Sequence, residues 1–187
     1  MVKKLEEFNA EDRVELKLLE GSVYYLYGEI DDESVAGVIK WILYENLTHK
    51  ETRTLTLYIN STGGNLYDAF ALIDVMAHSQ HIIRTVGVGS VMSAAFLIFA
   101  SGDKEHRYAA THTSFMCHQF TSAVDAKYHD LKAEMKETEL LNSKMIDILK
   151  SATGLPVNKI KTKLLPASDV YLTSEEVVEL QIADHIF

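Results

Sequence analysis

Gly87-Val-Gly-Ser-Val-Met-Ser93-Ala-Ala-Phe-Leu-Ile-Phe-Ala-Ser-Gly102 is the stretch that decides the fold. Its first half is β-branched and punctuated by glycine; its second half is an unbroken apolar run. Ser93 stands at the junction, where packing alone favours another apolar side chain. A hydroxyl on such a strand-to-helix corner is either a helix N-cap or an exposed nucleophile.

Working outward, the same alternation repeats. Thr54 to Ile59 predicts a strand that ends in the turn Asn60-Ser-Thr-Gly-Gly64. A helix through about His78 follows, with Leu66, Phe70, Ile73 and Ala77 at helical spacing. His81 to Val88 predicts a third strand and Met92 to Ser101 a buried helix. Upstream, Val23-Tyr-Tyr-Leu-Tyr27 is a strand stopped by Gly28, and Asp32 and Ser34 cap a helix through about Glu45. Downstream, short strands fit near Arg107-Tyr108 and Ser114 to Cys117. Strand–helix alternation of this kind implies parallel strands with right-handed crossovers, hence an α/β layer. Catalytic groups in such sheets gather at the carboxyl ends of strands, where the turns 60–64 and 89–93 lie.

A long helix spans about Asp125 to Lys150, with Tyr128, Leu131, Met135, Leu141, Met145, Ile148 and Leu149 near one stripe. At about 26 residues and 1.5 Å per residue it reaches about 40 Å, more than a small domain covers by itself. It either projects to pack on another subunit or lies along its own core. Residues 1–20 are highly charged and are expected to form a mobile arm.

The 187 residues make one domain, 1–187, with 47% hydrophobic and 24% charged side chains. Net charge is −9, from 27 acidic against 18 basic residues, and the basic ones are scattered. That balance excludes a phosphate-binding surface, so no nucleic-acid partner is expected. The apolar run Ala94 to Ala100 is too short to span a bilayer, and the amino terminus lacks the apolar core of a secretory signal. Cys117 is the single cysteine, which precludes an intrachain disulfide and fits a reducing, cytoplasmic compartment. The eight histidines are dispersed, with His78 and His81 the closest pair, and no cluster has metal-ligand spacing.

Acyl-transfer hydrolysis needs a hydroxyl, a base to take its proton, a group that orients the base, and donors for the oxyanion. Ser93 supplies a hydroxyl at a helix start, and the N–H of Ala94 points the same way. Gly64 opens another helix after a Gly-Gly turn, which leaves its N–H able to face a ligand closely. His118 ends the apolar strand Phe115-Met-Cys-His118 and is either a base or a core-edge histidine. Asp169, between Pro166 and Val170-Tyr-Leu172, is either a buried orienting carboxylate or a loop residue.

In combination these segments resemble the proteolytic subunit of the Clp protease (the ClpP family of serine peptidases). Tyr58-Ile-Asn-Ser-Thr-Gly-Gly64 resembles the family's Y-I-N-S-P-G-G, and Ser93-Ala-Ala-Phe-Leu-Ile-Phe-Ala-Ser-Gly-Asp-Lys matches S-M-G-A-F-L-L-A-A-G-A-K without a gap. Met116-Cys-His118-Gln resembles M-I-H-Q. Asp169-Val-Tyr-Leu-Thr-Ser-Glu-Glu-Val-Val-Glu-Leu-Gln-Ile-Ala-Asp184 resembles D-R-F-L-S-A-P-E-A-V-E-Y-G-L-V-D. The resemblance runs from about residue 20 to the end. It implies a spiral of β-β-α units shared with the crotonase group, and a projecting handle helix over 125–152 for ring–ring contact. It implies Ser93 as nucleophile, His118 as base, Asp169 as orienter, and Gly64 with Ala94 as oxyanion donors. Gly63, Phe120, Thr121, Ser122 and Ala123 fall where the family binds substrate backbone. Thr56, Tyr58 and His78 fall where it docks an AAA+ unfoldase of the ClpX, ClpA or ClpC type.

The implied protein is a cofactor-free serine endopeptidase subunit in a homo-oligomeric seven-membered ring, single or stacked as a tetradecamer, acting on unfolded polypeptide. No phosphate-binding G-x-x-x-x-G-K-[ST] is present, so the ATP-driven step falls to the separate unfoldase. Some positions depart from the family. Thr62 replaces a turn proline, and Val170 replaces an arginine that helps join rings. Phe120-Thr-Ser-Ala-Val-Asp125 replaces a glycine-rich substrate strand, and Thr56 and His78 replace aromatics. These departures keep open a catalytically weak or regulatory subunit of a mixed ring. A crotonase-like hydratase, which has no need of Ser93 with His118, is the other alternative.

Overall fold

The computed structural model describes residues 9–123 and 125–187. Residues 1–8 of the expected arm, and Val124, lie outside the described residues. Helix α1 (Ala10–Glu20) precedes β1 (Val23–Ile30), α2 (Asp32–Thr48), β2 (Thr54–Gly64), α3 (Leu66–Ala77), β3 (Ile82–Met92) and α4 (Ala94–Ala100). Then come β4 (Arg107–Ala109), β5 (Ser114–Cys117), α5 (Tyr128–Thr153), α6 (Val157–Lys163), β6 (Val170–Leu172), α7 (Ser174–Glu179) and β7 (His185–Ile186). Strands β1-β2-β3-β4-β7 pair in that order, all parallel, while β5 runs beside the end of β3 and β6 lies antiparallel to β5. The architecture is the expected α/β layer.

The caps explain where the helices begin. Asp31 accepts from the Ser34 N–H while the Ser34 hydroxyl accepts from the Asp31 N–H, a capping box that starts α2 at Asp32. Ser34 is therefore inside the first turn, not before it. Asn65 Oδ1 caps α3 by accepting from Tyr67 and Asp68 N–H. Helix α5 starts at Tyr128, three residues later than the sequence suggests, and ends on Gly154 in the left-handed region at φ +70°.

Three strands are longer than expected, because parallel neighbours carry them through glycines. β1 passes Gly28 (φ +83°) with a register shift and still pairs Ile30 with Gly64. β2 continues through the Asn60–Gly64 segment instead of turning there. β3 changes partner midway, with Thr85–Gly87 beside β4 and Ser90–Met92 beside β5. Gly89, at φ +66°, sits at that switch. Asn60 Oδ1 supports it by accepting from the Ser90 N–H and hydroxyl.

The core lies between the sheet and α2, α3 and α4. Leu55, Leu57 and Ile59 project from one face of β2 into it, and all seven residues of α4 are buried. Burying that helix on all sides accounts for its unbroken apolar run. Helix α5 differs along its length. Its buried residues begin at Leu141, and nothing from Tyr128 to Leu140 is buried.

Arg107, 2% exposed, joins the far end of the sheet to the helices. Its guanidinium donates to Asp184 at 2.7 and 2.9 Å and to the Ala152 carbonyl at 2.9 Å. Burial raises the Asp184 carboxyl, but the Arg107 hydrogen bonds and charge outweigh it and hold the group below its ordinary value. That contribution to stability is full above the ordinary carboxylate range and is lost as pH falls through the lower folded value. Asp184→Ala leaves Arg107 buried without its counter-charge. It is expected to cost about 3–5 kcal/mol, read from urea unfolding. A cost under about 1 kcal/mol would show that the pair is not needed there.

Candidate active site

The sheet register assembles the site. Met92 pairs with Met116 across β3 and β5, and the Ser93 N–H donates to the Met116 carbonyl at 2.9 Å. Two residues further, His118 reaches the Ser93 side chain. Cys117 pairs with Val170 across antiparallel β5 and β6, which puts His118 opposite Asp169. His118 Nε2 accordingly lies 2.8 Å from Ser93 Oγ, and His118 Nδ1 lies 3.3 Å from Asp169 Oδ1. In the tautomer that carries its proton on Nδ1, toward Asp169, Nε2 is the bare nitrogen and accepts from the serine hydroxyl.

Ser93 occupies the N-cap position of α4 but makes no side-chain cap. Its hydroxyl points to His118 instead, which separates the two roles its sequence position allowed. Its backbone, at φ 55° and ψ −122°, is strained for a residue with a Cβ, a cost of about 1–3 kcal/mol that the surrounding fold must offset. Gly63 packs directly against the corner, since a Cβ there would lie 2.6 Å from Ser93 Cβ. Ala94, the first residue of α4, has an N–H that no intrahelical carbonyl can take. Gly64 lines the cleft beside Ser93 and pairs with Ile30.

A cleft of about 350 Å³ opens on Ser93 and His118. Phe120, Thr121 and Ser122 line it; Ala123 does not. Residues 120–123, which stand where the family has a glycine-rich substrate strand, are irregular. β5 ends at Cys117, opposite the point where its antiparallel partner β6 begins at Val170, so no described neighbour offers ladder hydrogen bonds beyond. Of the two readings left open for Asp169, the structure shows a half-exposed loop position: its side chain is 51% exposed, against 25% for His118. Thr56 and Tyr58 share the half-buried face of β2 away from Leu55 and Leu57, and His78 is the exposed C-cap of α3.

Sequence reasoning missed the far wall of the cleft. Tyr67 of α3 and Glu134, Glu137, Thr138 and Leu141 of α5 all line it. The α5 stripe pointed only to its apolar residues, and nothing local tells which part of that helix folds over the site. Asn60 was also missed as a support of the Ser93 corner, although it stands in the quoted Tyr58–Gly64 segment. Cys117, next to His118, takes no part: burial pushes its thiol up to about 12, so it is protonated and inert at neutral pH.

Residues 6–187 match the Clp protease family. The chain belongs to that family. It is also 28% identical over 170 residues to the ATP-dependent Clp protease proteolytic subunit 2 of Thermobifida fusca (strain YX), covering 91% of this chain and 82% of that one. It is therefore a serine peptidase subunit of the Clp type. Among the described residues, no helix is long and apolar enough to cross a membrane.

Proposed function

We propose that Ser93, His118 and Asp169 form the catalytic triad of this Clp-type peptidase. The row Ser93 Oγ–His118 Nε2 at 2.8 Å and His118 Nδ1–Asp169 at 3.3 Å carries the reading. Ser93 Oγ attacks the peptide carbonyl carbon as its proton passes to His118 Nε2, and the carbonyl oxygen becomes an oxyanion. The N–H groups of Ala94 and Gly64 receive that charge. His118 then gives the proton to the leaving amine, which departs and leaves an acyl-serine. Water then gives a proton to His118 Nε2 as its oxygen bonds to the acyl carbon; the carbon–Oγ bond breaks, the acid leaves, and His118 returns the proton to Ser93 Oγ. Asp169 accepts from Nδ1–H throughout and supports the imidazolium.

The bare first half of α5 supports homo-oligomeric assembly. Tyr128, Leu131, Met135 and Leu140 are exposed there, on a segment with no buried residue of its own. The relative's printed name makes it a subunit of an ATP-dependent protease. By that analogy this chain works in a cytoplasmic ring, single or stacked, fed with unfolded polypeptide by an AAA+ unfoldase, with Thr56, Tyr58 and His78 toward that partner. The mixed-ring reading, in which the subunit is catalytically weak, draws on the irregular 120–123 segment.

Treating the purified chain with a fluorescent fluorophosphonate and measuring its native mass tests both parts. The expected result is one label on Ser93 and a mass of at least seven subunits. An unlabelled chain of ring mass favours the weak subunit, and a labelled monomer removes the ring.

A further inference from the structure

The charge on the cleft wall points to a substrate preference, on the premise that Ser93 is the nucleophile of the peptidase reading. Glu134 and Glu137 lie three residues apart on α5, on adjacent turns of one face, and both line the cleft with Ser93 and His118. No Lys or Arg is among the described residues lining it. The Tyr67 hydroxyl donates to Glu137 Oε1 at 3.1 Å, which fixes that carboxylate at the cleft. Glu134 is exposed and Glu137 half-buried, and among the described residues neither is held in a salt bridge.

Two like charges facing one small cleft repel, and a cation between them relieves that repulsion. The rest of the lining suits the stem of a basic side chain. Leu66, Phe120 and Leu141 supply apolar surface in the same cleft. A lysine or arginine lays its methylenes on such surface while its head reaches a carboxylate. We propose that Glu134 and Glu137 make this peptidase favour Lys or Arg at the residue whose carbonyl Ser93 attacks, and disfavour Asp or Glu there.

Three fluorogenic peptides differing only in that residue (Lys, Leu or Glu) decide the matter through ratios of kcat/KM, which do not depend on how much enzyme is folded. The expected order is Lys over Leu by about tenfold, with Glu slowest, and a ratio that shrinks with added salt. Glu134→Gln with Glu137→Gln is expected to bring the Lys-to-Leu ratio near one. Glu134→Lys with Glu137→Lys is expected to turn the order toward the Glu peptide. A parent ratio at or below one, or one that neither double variant moves, overturns the preference. Fluorophosphonate labelling of Ser93 in the same sample keeps the peptidase reading standing in that case. A parent chain that neither takes the label nor cleaves any of the peptides overturns both.

Discussion

Ser93→Ala is expected to lower kcat/KM for a small fluorogenic peptide by about 10⁴-fold or more, the loss that follows when a triad acts as a unit. The reason is geometric. Ser93 Oγ is the atom that His118 Nε2 faces at 2.8 Å, and among the described residues no other hydroxyl bonds to that nitrogen. Fold and assembly should survive. Alanine keeps the Cβ, so it accepts the φ 55° corner at the same strain as serine, and the deleted hydroxyl caps no helix. The unfolding free energy should therefore move by less than about 1 kcal/mol. The variant should elute at the parent's native mass and take no fluorophosphonate. Peptide cleavage near the parent rate in a folded variant would remove Ser93 from the reaction. A variant that fails to fold would show that the hydroxyl also holds the corner.

The α/β layer was legible because helix and strand periods differ so clearly across residues 54–102. Strand ends were not. Gly28 and Asn60–Gly64 have the composition of stops, yet parallel pairing of β2 with β1, and with β3 as far as Ser61, supplies hydrogen bonds that local propensity does not know about. β7 is two residues long and leaves no period to detect. The triad was legible as residue types, but the link among Ser93, His118 and Asp169 came from resemblance. The register of β3–β5 and β5–β6 is its physical cause, and register is a tertiary property. The same limit hid Glu134 and Glu137. Their positions on α5 read as a solvated face, and only the packing of Leu141 onwards fixes which turns overlook Ser93.

The Gly63-Gly64 pair shows how closely the cleft depends on backbone approach, and Gly64→Ala is expected to abolish the soluble fold. At φ +153° a side chain is already strained, and the added Cβ would lie 2.2 Å from the Ile30 carbonyl oxygen, 2.8 Å from its nitrogen and 2.9 Å from its carbonyl carbon. All three are backbone atoms, so no rotamer change relieves the clash. Nor can Ile30 retreat. It is fully buried at the end of β1, and its carbonyl accepts from the Asn65 N–H at 2.7 Å, the bond that leads into α3. Relief requires β1 and β2 to separate at the mouth of the cleft. The expected cost exceeds about 4 kcal/mol, a large share of the roughly 5–15 kcal/mol that holds a domain together. Gly28→Ala is the matched control. It also has positive φ, +83°, but nothing lies within 4 Å of the added Cβ, so only backbone strain of about 1–2 kcal/mol is expected. Soluble yield and urea midpoints of the two variants separate crowding from strain. Equal, mild losses would mean that β1 yields to a Cβ at position 64 and that the close approach there is not required.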